Sequence, residues 1–289
     1  MSCASRHLVL LGSAIRLEFS DSRRSGTDTS LLDSRQTFDE LKHGDTLGIV
    51  RRVHGSTGLS QDWICASGIV DPNADPNLLV QVNADLPARL FEILCEHCND
   101  GASSVPALRF VTIGSVLENR DDIAHSNPYI NSKAQLLRSW KRLSPAAPIP
   151  WIHVQLHTLY GGCEPHPFMF LGQMHAALKG RRAFPMSHGT QLREYHHADD
   201  IATSLFALLQ NTGDRPEIVD LSSGQPVRLR DLAHHIFQHF GVSQLLEIGS
   251  LPTDEAEVYE PCYRLSKHLV ACRDPIQGII DWLESLGIV

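Results

Sequence analysis

The 289-residue chain is predicted to fold as an α/β protein, a doubly wound parallel sheet with a smaller C-terminal α/β part. Three observations predict it. Apolar runs of strand length alternate with stretches of helical periodicity. One of these runs, Arg109-Phe110-Val111-Thr112-Ile113-Gly114-Ser115, ends in a hydroxyl, and parallel-sheet enzymes carry reactive groups at the carboxyl ends of their strands. Further on, Tyr129 and Lys133 stand four residues apart in Asn127-Pro128-Tyr129-Ile130-Asn131-Ser132-Lys133, which places both on one helical face.

In chain order, residues 7–11 form the first apolar strand, and residues 29–32 the second, ending at Asp33. Residues 63–66 make a short strand closed by Ser67-Gly68. Residues 86–98 repeat Leu86, Leu90, Ile93 and Leu94 at helical spacing and stop at Asn99-Asp100-Gly101, as a crossover helix does. Strands at 108–113 and 151–156 complete the sheet, separated by the tyrosine–lysine helix and the breaker run Ser144-Pro145-Ala146-Ala147-Pro148-Ile149-Pro150. Residues 168–178 are helical and turn at Lys179-Gly180-Arg181-Arg182, and Asp199-Asp200 are placed to cap a helix over 201–209. No internal repeat or low-complexity tract interrupts this order.

Composition narrows the class. Hydrophobic content of 42% and charged content of 20% are those of a globular protein with a substantial core. A formal net charge of −8 argues against a nucleic-acid surface. The apolar run at 8–11 is too short for a secretory segment, and no stretch reaches the roughly 18 apolar residues of a membrane span, so a cytoplasmic protein is expected. Seven cysteines without regular spacing suit free thiols. Cys95-Glu96-His97-Cys98 lacks a second ligand pair, and the pairs His196-His197 and His234-His235 diverge, so no metal is expected.

A phenol beside an ammonium is an acid–base device: Coulomb attraction to Lys133 favours the phenolate of Tyr129 and draws its pKa down from about 10, which suits proton exchange with a hydroxyl or carbonyl. With Ser115 as the third member, the chain resembles the extended short-chain dehydrogenase/reductase family, the NAD-dependent epimerases, dehydratases and ketoreductases that mostly act on nucleotide sugars. The resemblance extends over nearly the whole chain through Pro128-Tyr129, Ser132-Lys133, Leu159-Tyr160-Gly161, Gly189-Thr190-Gln191-Leu192-Arg193-Glu194-Tyr195 with Asp199-Asp200, and Leu221-Ser222-Ser223-Gly224-Gln225-Pro226-Val227. It implies a Rossmann-like dinucleotide domain over 1–158, with 188–215 returning to it, and a substrate-binding domain from 159–187 and 216–289. It implies Tyr129 as proton donor or acceptor, Lys133 on the nicotinamide ribose and Ser115 on the substrate oxygen. Ala66, Asn83 and Asp45 match cofactor-contacting positions. Arg193 matches an arginine that grips a substrate diphosphate, a task suited to a planar guanidinium. Gln155 and Thr158 stand where relatives carry arginine and asparagine, which makes Thr158 a substrate-binding candidate. A homodimer fits the resemblance.

The dinucleotide turn departs from pattern. Gly12 fills the first glycine position, but Ile15 and Glu18 fill the second and third, where a side chain crowds the pyrophosphate. Asp33 lies 21 residues after Gly12, the spacing of the acid that bonds the adenosine ribose, while Arg35 beside it could pair with a 2′-phosphate. NAD is therefore placed ahead of NADP. In dehydrating relatives an Asp-Glu pair follows the hydroxyl residue; here Val116-Leu117 follows Ser115, which leaves reduction and epimerisation open. The alternatives are a non-catalytic or regulatory relative with weakened dinucleotide binding, and a reductase of a small uncharged carbonyl compound.

Overall fold

The structure, a computed structural model, describes residues 7–11, 28–32, 61–66, 68–99, 107–162, 164–211, 217–253 and 264–289. The chain divides into two compact units, Met1–Leu156 with Leu209–Asp220, and His157–Leu208 with Leu221–Val289. Strands in chain order are β1 (His7–Leu11), β2 (Asp28–Leu32), β3 (Gln61–Cys65), β4 (Ala107–Ser115), β5 (Trp151–Leu156), β6 (Thr158–Tyr160), β7 (Phe184–Met186), β8 (Leu192–Arg193), β9 (Tyr195–His197), β10 (Ile218–Asp220), β11 (Val227–Arg228) and β12 (Leu246–Ile248). The helices are α1 (Pro76–Val80), α2 (Leu86–Asn99), α3 (Asp121–Ser126), α4 (Pro128–Leu143), α5 (Phe170–Gly180), α6 (Ala198–Gln210), α7 (Leu229–His239) and α8 (Pro275–Ser285).

The first unit is built on a six-stranded sheet of order β2-β1-β3-β4-β5-β10, parallel at every pairing. The chain runs from β1 to β2 on one side and to β3 on the other, so the strand order reverses beside β1, where open α/β sheets place their ligands. All six residues of β5 are buried, the continuous burial of a parallel strand covered on both faces. The core between sheet and helices is aromatic. Phe91 of α2 lies 4.3 Å from the Trp151 ring and 5.5 Å from Phe110, and Trp140 of α4 donates through Nε1 to the Trp151 carbonyl at 2.9 Å. At the opening of β3 and β4, Arg109 binds Asp62 through two bonds of 3.0 Å, both residues buried, and donates further to the carbonyls of Leu209 and Asn211.

Two helix starts matter for function. Asp75 caps α1 by accepting from the amides of Asn77 and Leu78, with Pro76 at the first helical position. A π-helical turn, Gln81–Asp85, joins α1 to α2 and buries Asn83. Asn127 caps α4 by accepting from Tyr129 N at 3.0 Å and Ile130 N at 3.2 Å, followed by Pro128, so the catalytic-candidate helix begins abruptly and in register.

The second unit holds three two-stranded sheets, β6 with β9, β7 with β12, and β8 with β11. Its core joins α5, α7 and α8 through Met174, Leu232, Ile236, Phe237, Ile279 and Leu283. One expectation is corrected in detail. The helix expected over 201–209 begins at Ala198, so Asp199 and Asp200 lie inside its first turn, and Asp200 is held by Arg273 through bonds of 2.8 to 3.2 Å instead of capping. The later segment grouped with the first unit is Leu209–Asp220, and the strand it supplies is β10, paired with β5.

Candidate active site

β4 carries Ser115 at its carboxyl end, where the backbone passes from extended (φ −136°, ψ 142°) into a 3₁₀ turn, Val116–Asn119. Ser115 Oγ accepts from Leu117 N at 3.3 Å, and Glu118 reaches back to accept from Ser115 N at 3.1 Å, a capping box. Tyr129 and Lys133 rise from the first turns of α4 on the face the spacing predicts, with the Lys133 ammonium 5.9 Å from the centre of the Tyr129 ring. Lys133 is buried and donates to the carbonyl of Ile113, two residues before Ser115, at 2.8 Å. That bond brings the helix pair to the end of β4. Tyr129 packs against the cluster of Ala124, Ile130 and Ala134.

The loop after β3 closes another side. Asn83 accepts from Ile69 N at 2.8 Å and donates to Ile69 O and to Ser132 Oγ, both at 2.9 Å; Ser132 Oγ in turn donates to Tyr129 O at 2.7 Å. Both amide hydrogens of Asn83 are thus committed and the residue is 1% exposed, so it ties the Ile69 segment to the first turns of α4. A Cβ added to Gly68 would come 3.2 Å from Asn83 Oδ1 and 3.7 Å from Lys133 Nζ, which puts the bare Gly68 backbone beside the ammonium. Ala66 is half-buried directly after β3. Lys133 has two N–H donors with no partner among the described residues, a donor set suited to paired hydroxyls such as those of a ribose. Gly12, Asp33 and Asp45, with Ile15, Glu18 and Arg35, lie outside the described residues.

The electrostatics differ in sign from the sequence expectation for Tyr129. Burial first, and the Glu118 carboxylate second, push the phenol up to about 12. Burial lowers Lys133, with Glu118 and Cys65 opposing it. The ammonium gives one of its N–H groups to Ile113 O, and the anion that acts on both groups is Glu118, which sequence reasoning missed. Glu118 is fully buried; its Oε1 lies 2.7 Å from His153 Nε2 and accepts from Gln155 Nε2 at 2.7 Å. The spacing of serine and glutamate three apart, Ser115 and Glu118, was the available signal. Val116 and Leu117 offer no proton-transfer group, and Glu118 is enclosed by protein donors.

Thr158 and Arg193 belong to the second unit. Thr158 N donates to Glu194 O at 3.1 Å, and Arg193, half-buried in β8, donates through Nη1 to Leu192 O at 2.8 Å. Among the described residues no group of three or more His, Cys, Asp or Glu could hold a metal ion, and no helix is long and apolar enough to cross a membrane.

Comparison with known proteins places this geometry. Three solved structures share the fold over almost the entire chain. A UDP-glucose 4-epimerase from Thermotoga maritima with UDP-glucose is 11% identical, with a TM-score of 0.75 over 97% of this chain and 98% of that one. A UDP-N-acetylglucosamine 4-epimerase from Methanobrevibacter ruminantium M1 in complex with UDP-N-acetylmuramic acid is 13% identical, with a TM-score of 0.74 over 98% of both chains. MoeE5 in complex with UDP-glucose and NAD is 16% identical, with a TM-score of 0.70 over 97% of this chain and 98% of that one. No curated protein sequence matches. Residues 51–222, more than half of the chain, match the model of one family and include Ser115, Tyr129 and Lys133, and by that match the chain belongs to the NAD dependent epimerase/dehydratase family.

Proposed function

We propose that the protein is an NAD-dependent epimerase or ketoreductase that acts on a hydroxyl or carbonyl of a nucleotide-linked sugar through Ser115, Tyr129 and Lys133. The observation that carries this reading is the buried Lys133, set beside the Tyr129 ring and tied to the strand that ends in Ser115. NAD is the cofactor of the family, and the two unclaimed donors of Lys133 next to the Gly68 backbone fit its ribose end. When bound, NAD supplies a hydride acceptor or donor. Tyr129, whose phenol holds its proton up to about 12, is in the state needed to donate to a carbonyl oxygen as that oxygen gains charge; it recovers a proton from the alcohol in the opposite direction. Ser115 holds the same oxygen by a hydrogen bond, and Lys133 stabilises negative charge on it. Val116 and Leu117 provide no acid–base pair, so hydride chemistry without dehydration is the reading the site favours. Nucleotide sugars are the bound ligands of the structural relatives, and Arg193 is the proposed anchor for the diphosphate, with Thr158 as a lesser contact.

The test is turnover with NAD and UDP-glucose or UDP-N-acetylglucosamine, alongside native mass spectrometry for co-purified dinucleotide. Loss of turnover in Tyr129→Phe with retained NAD binding supports the reading. Absence of dinucleotide binding at millimolar NAD and NADP would instead favour a non-catalytic relative.

A further inference from the structure

Behind Ser115 lies a chain of buried polar groups that hydride transfer does not itself require. Trp151 Nε1 donates to Thr112 Oγ1 at 2.8 Å, and Thr112 Oγ1 is 2.9 Å from His153 Nδ1. His153 Nε2 meets Glu118 Oε1, which also accepts from Gln155, while Glu118 Oε2 accepts from Ser115 N. Thr112 and His153 are wholly buried and Glu118 is 2% exposed. The geometry satisfies a neutral imidazole at both nitrogens: Nε2–H donates to the carboxylate, and the Thr112 hydroxyl, which accepts from Trp151, donates to Nδ1. Gly114 makes room for the arrangement. A Cβ there would strike His153 Nε2 and lie 2.6 and 2.7 Å from the two Glu118 oxygens. A strand core that could have been filled with apolar side chains instead encloses a carboxylate, at a desolvation cost that requires all its bonds.

We propose that Glu118, held by His153 and Gln155, is a positioning residue for the candidate catalytic centre: its carboxylate fixes the backbone of Ser115 and sets a negative charge at the end of β4, where Ile113 O holds Lys133 one helical turn from Tyr129. The inference rests on the Ser115–Tyr129–Lys133 reading. Among the described residues, the titratable groups around the pair leave Glu118 as the source. On α4 itself stands Lys133; β3 brings Cys65, which acts on Lys133 but not on Tyr129; β5 brings His153. Asp85 of the π-helical turn and Asp121, Asp122 and His125 of α3 are exposed, Asp122 being paired with Arg120, and Asp62 is bonded to Arg109. An anion beside a phenol and an ammonium keeps a proton on each, so it holds Tyr129 as an acid and Lys133 as a cation.

The experiment uses the full chain without substrate or cofactor, labelled with 13Cζ-tyrosine, the Tyr129 resonance being assigned by its loss in Tyr129→Phe. Glu118→Gln keeps the shape and leaves an oxygen for Ser115 N, while Gln155 and the imidazole can reverse their roles. Tyr129 is expected to ionise about one pH unit lower than in the wild type, as removal of one nearby charge gives. A second variant, Glu118→Met with His153→Leu, removes both partners at once, which buried pairs tolerate best, and should shift Tyr129 the same way. Gln155→Met, which leaves the charge in place, should not lower it. An unchanged Tyr129 titration in either folded Glu118 variant overturns the proposal, as does an equal downward shift in Gln155→Met, which would make the effect one of packing. Turnover of Tyr129→Phe judges the catalytic reading separately, since the titration needs no substrate.

Discussion

Glu194 of the second unit offers a prediction that can be worked to a magnitude. The residue is 1% exposed and its carboxylate accepts from Ser222 Oγ at 2.7 Å, Ser223 N at 2.7 Å, Ser223 Oγ at 3.1 Å, Gly224 N at 3.0 Å and His196 Nε2 at 3.0 Å. Burial alone would raise it. The donors outweigh burial and bring it from its ordinary 4.5 down to about 2. A carboxyl whose folded value is depressed stabilises the fold above its unfolded value and loses that stabilisation as pH falls toward the folded one. The gap is worth about 3 kcal/mol at neutral pH, nearly all of it present at about pH 5 and under half remaining at about pH 3. Glu194→Gln turns an amide N–H toward backbone donors and should cost about 3 kcal/mol near neutrality. Its penalty should shrink by about 2 kcal/mol between pH 5 and pH 3, because the wild type loses its advantage there. The assay is urea unfolding at the two pH values, read by hydrogen exchange at the amides of α7 and α8, which belong to the same unit. Asp200 and Asp122 also titrate in acid, but they are common to both proteins and cancel in the difference. If the penalty of Glu194→Gln is the same at both pH values, the charge of Glu194 is not what the nest of donors stabilises.

Tyr129→Phe should lower turnover by about 10²- to 10⁴-fold while thermal melting stays near that of the wild type, since only a hydroxyl is removed from a ring held by Ala124, Ile130 and Ala134. Arg109→Met should cost about 3–5 kcal/mol in urea unfolding by taking the guanidinium from the buried Asp62 carboxylate, whereas Arg109→Met with Asp62→Leu should recover most of the loss; equal loss in both would refute the pairing argument. Gly114→Ala should be among the most destabilising single-methyl additions in the first unit, because the new Cβ overlaps His153 and Glu118, and a melting temperature within a degree of the wild type would contradict that packing. Arg193→Met should weaken nucleotide-sugar binding by roughly 10- to 150-fold in calorimetric titration without altering dinucleotide affinity.

The sheet was readable because its strands are short apolar runs between strong breakers: β5 appears over the residues expected, and β3 and β4 differ only at their ends. The helix of Tyr129 and Lys133 was readable from Asn127-Pro128, a cap and a first-turn proline, and from the four-residue spacing. What could not be read was the partner of each polar group. Lys133 finds Ile113 O instead of the phenol, and Glu118 folds back through a 3₁₀ turn onto a histidine 35 residues away; such contacts depend on strand register, which periodicity does not give. The same holds for Asp200, whose sequence position fits a cap but whose partner, Arg273, arrives from 73 residues downstream. Asn83 was matched to a cofactor-contacting position by resemblance, near the start of the helix that follows β3, and its bonds to Ile69 and Ser132 through the π-helical turn were not legible in that match.

That inward turn of Asn83 makes two parts of the chain a single mechanical piece. The segment around Gly68 and Ile69 and the first turns of α4 are riveted through one amide, so neither can drift without breaking bonds to the other. A ligand arriving beside Lys133 meets a floor whose shape was settled during folding, and it has little loop entropy left to quench there. The rigidity is also a constraint on drift in the sequence: loss of the Ser132 hydroxyl takes a partner from the buried Asn83 amide, and a side chain at Gly68 crowds Asn83 Oδ1.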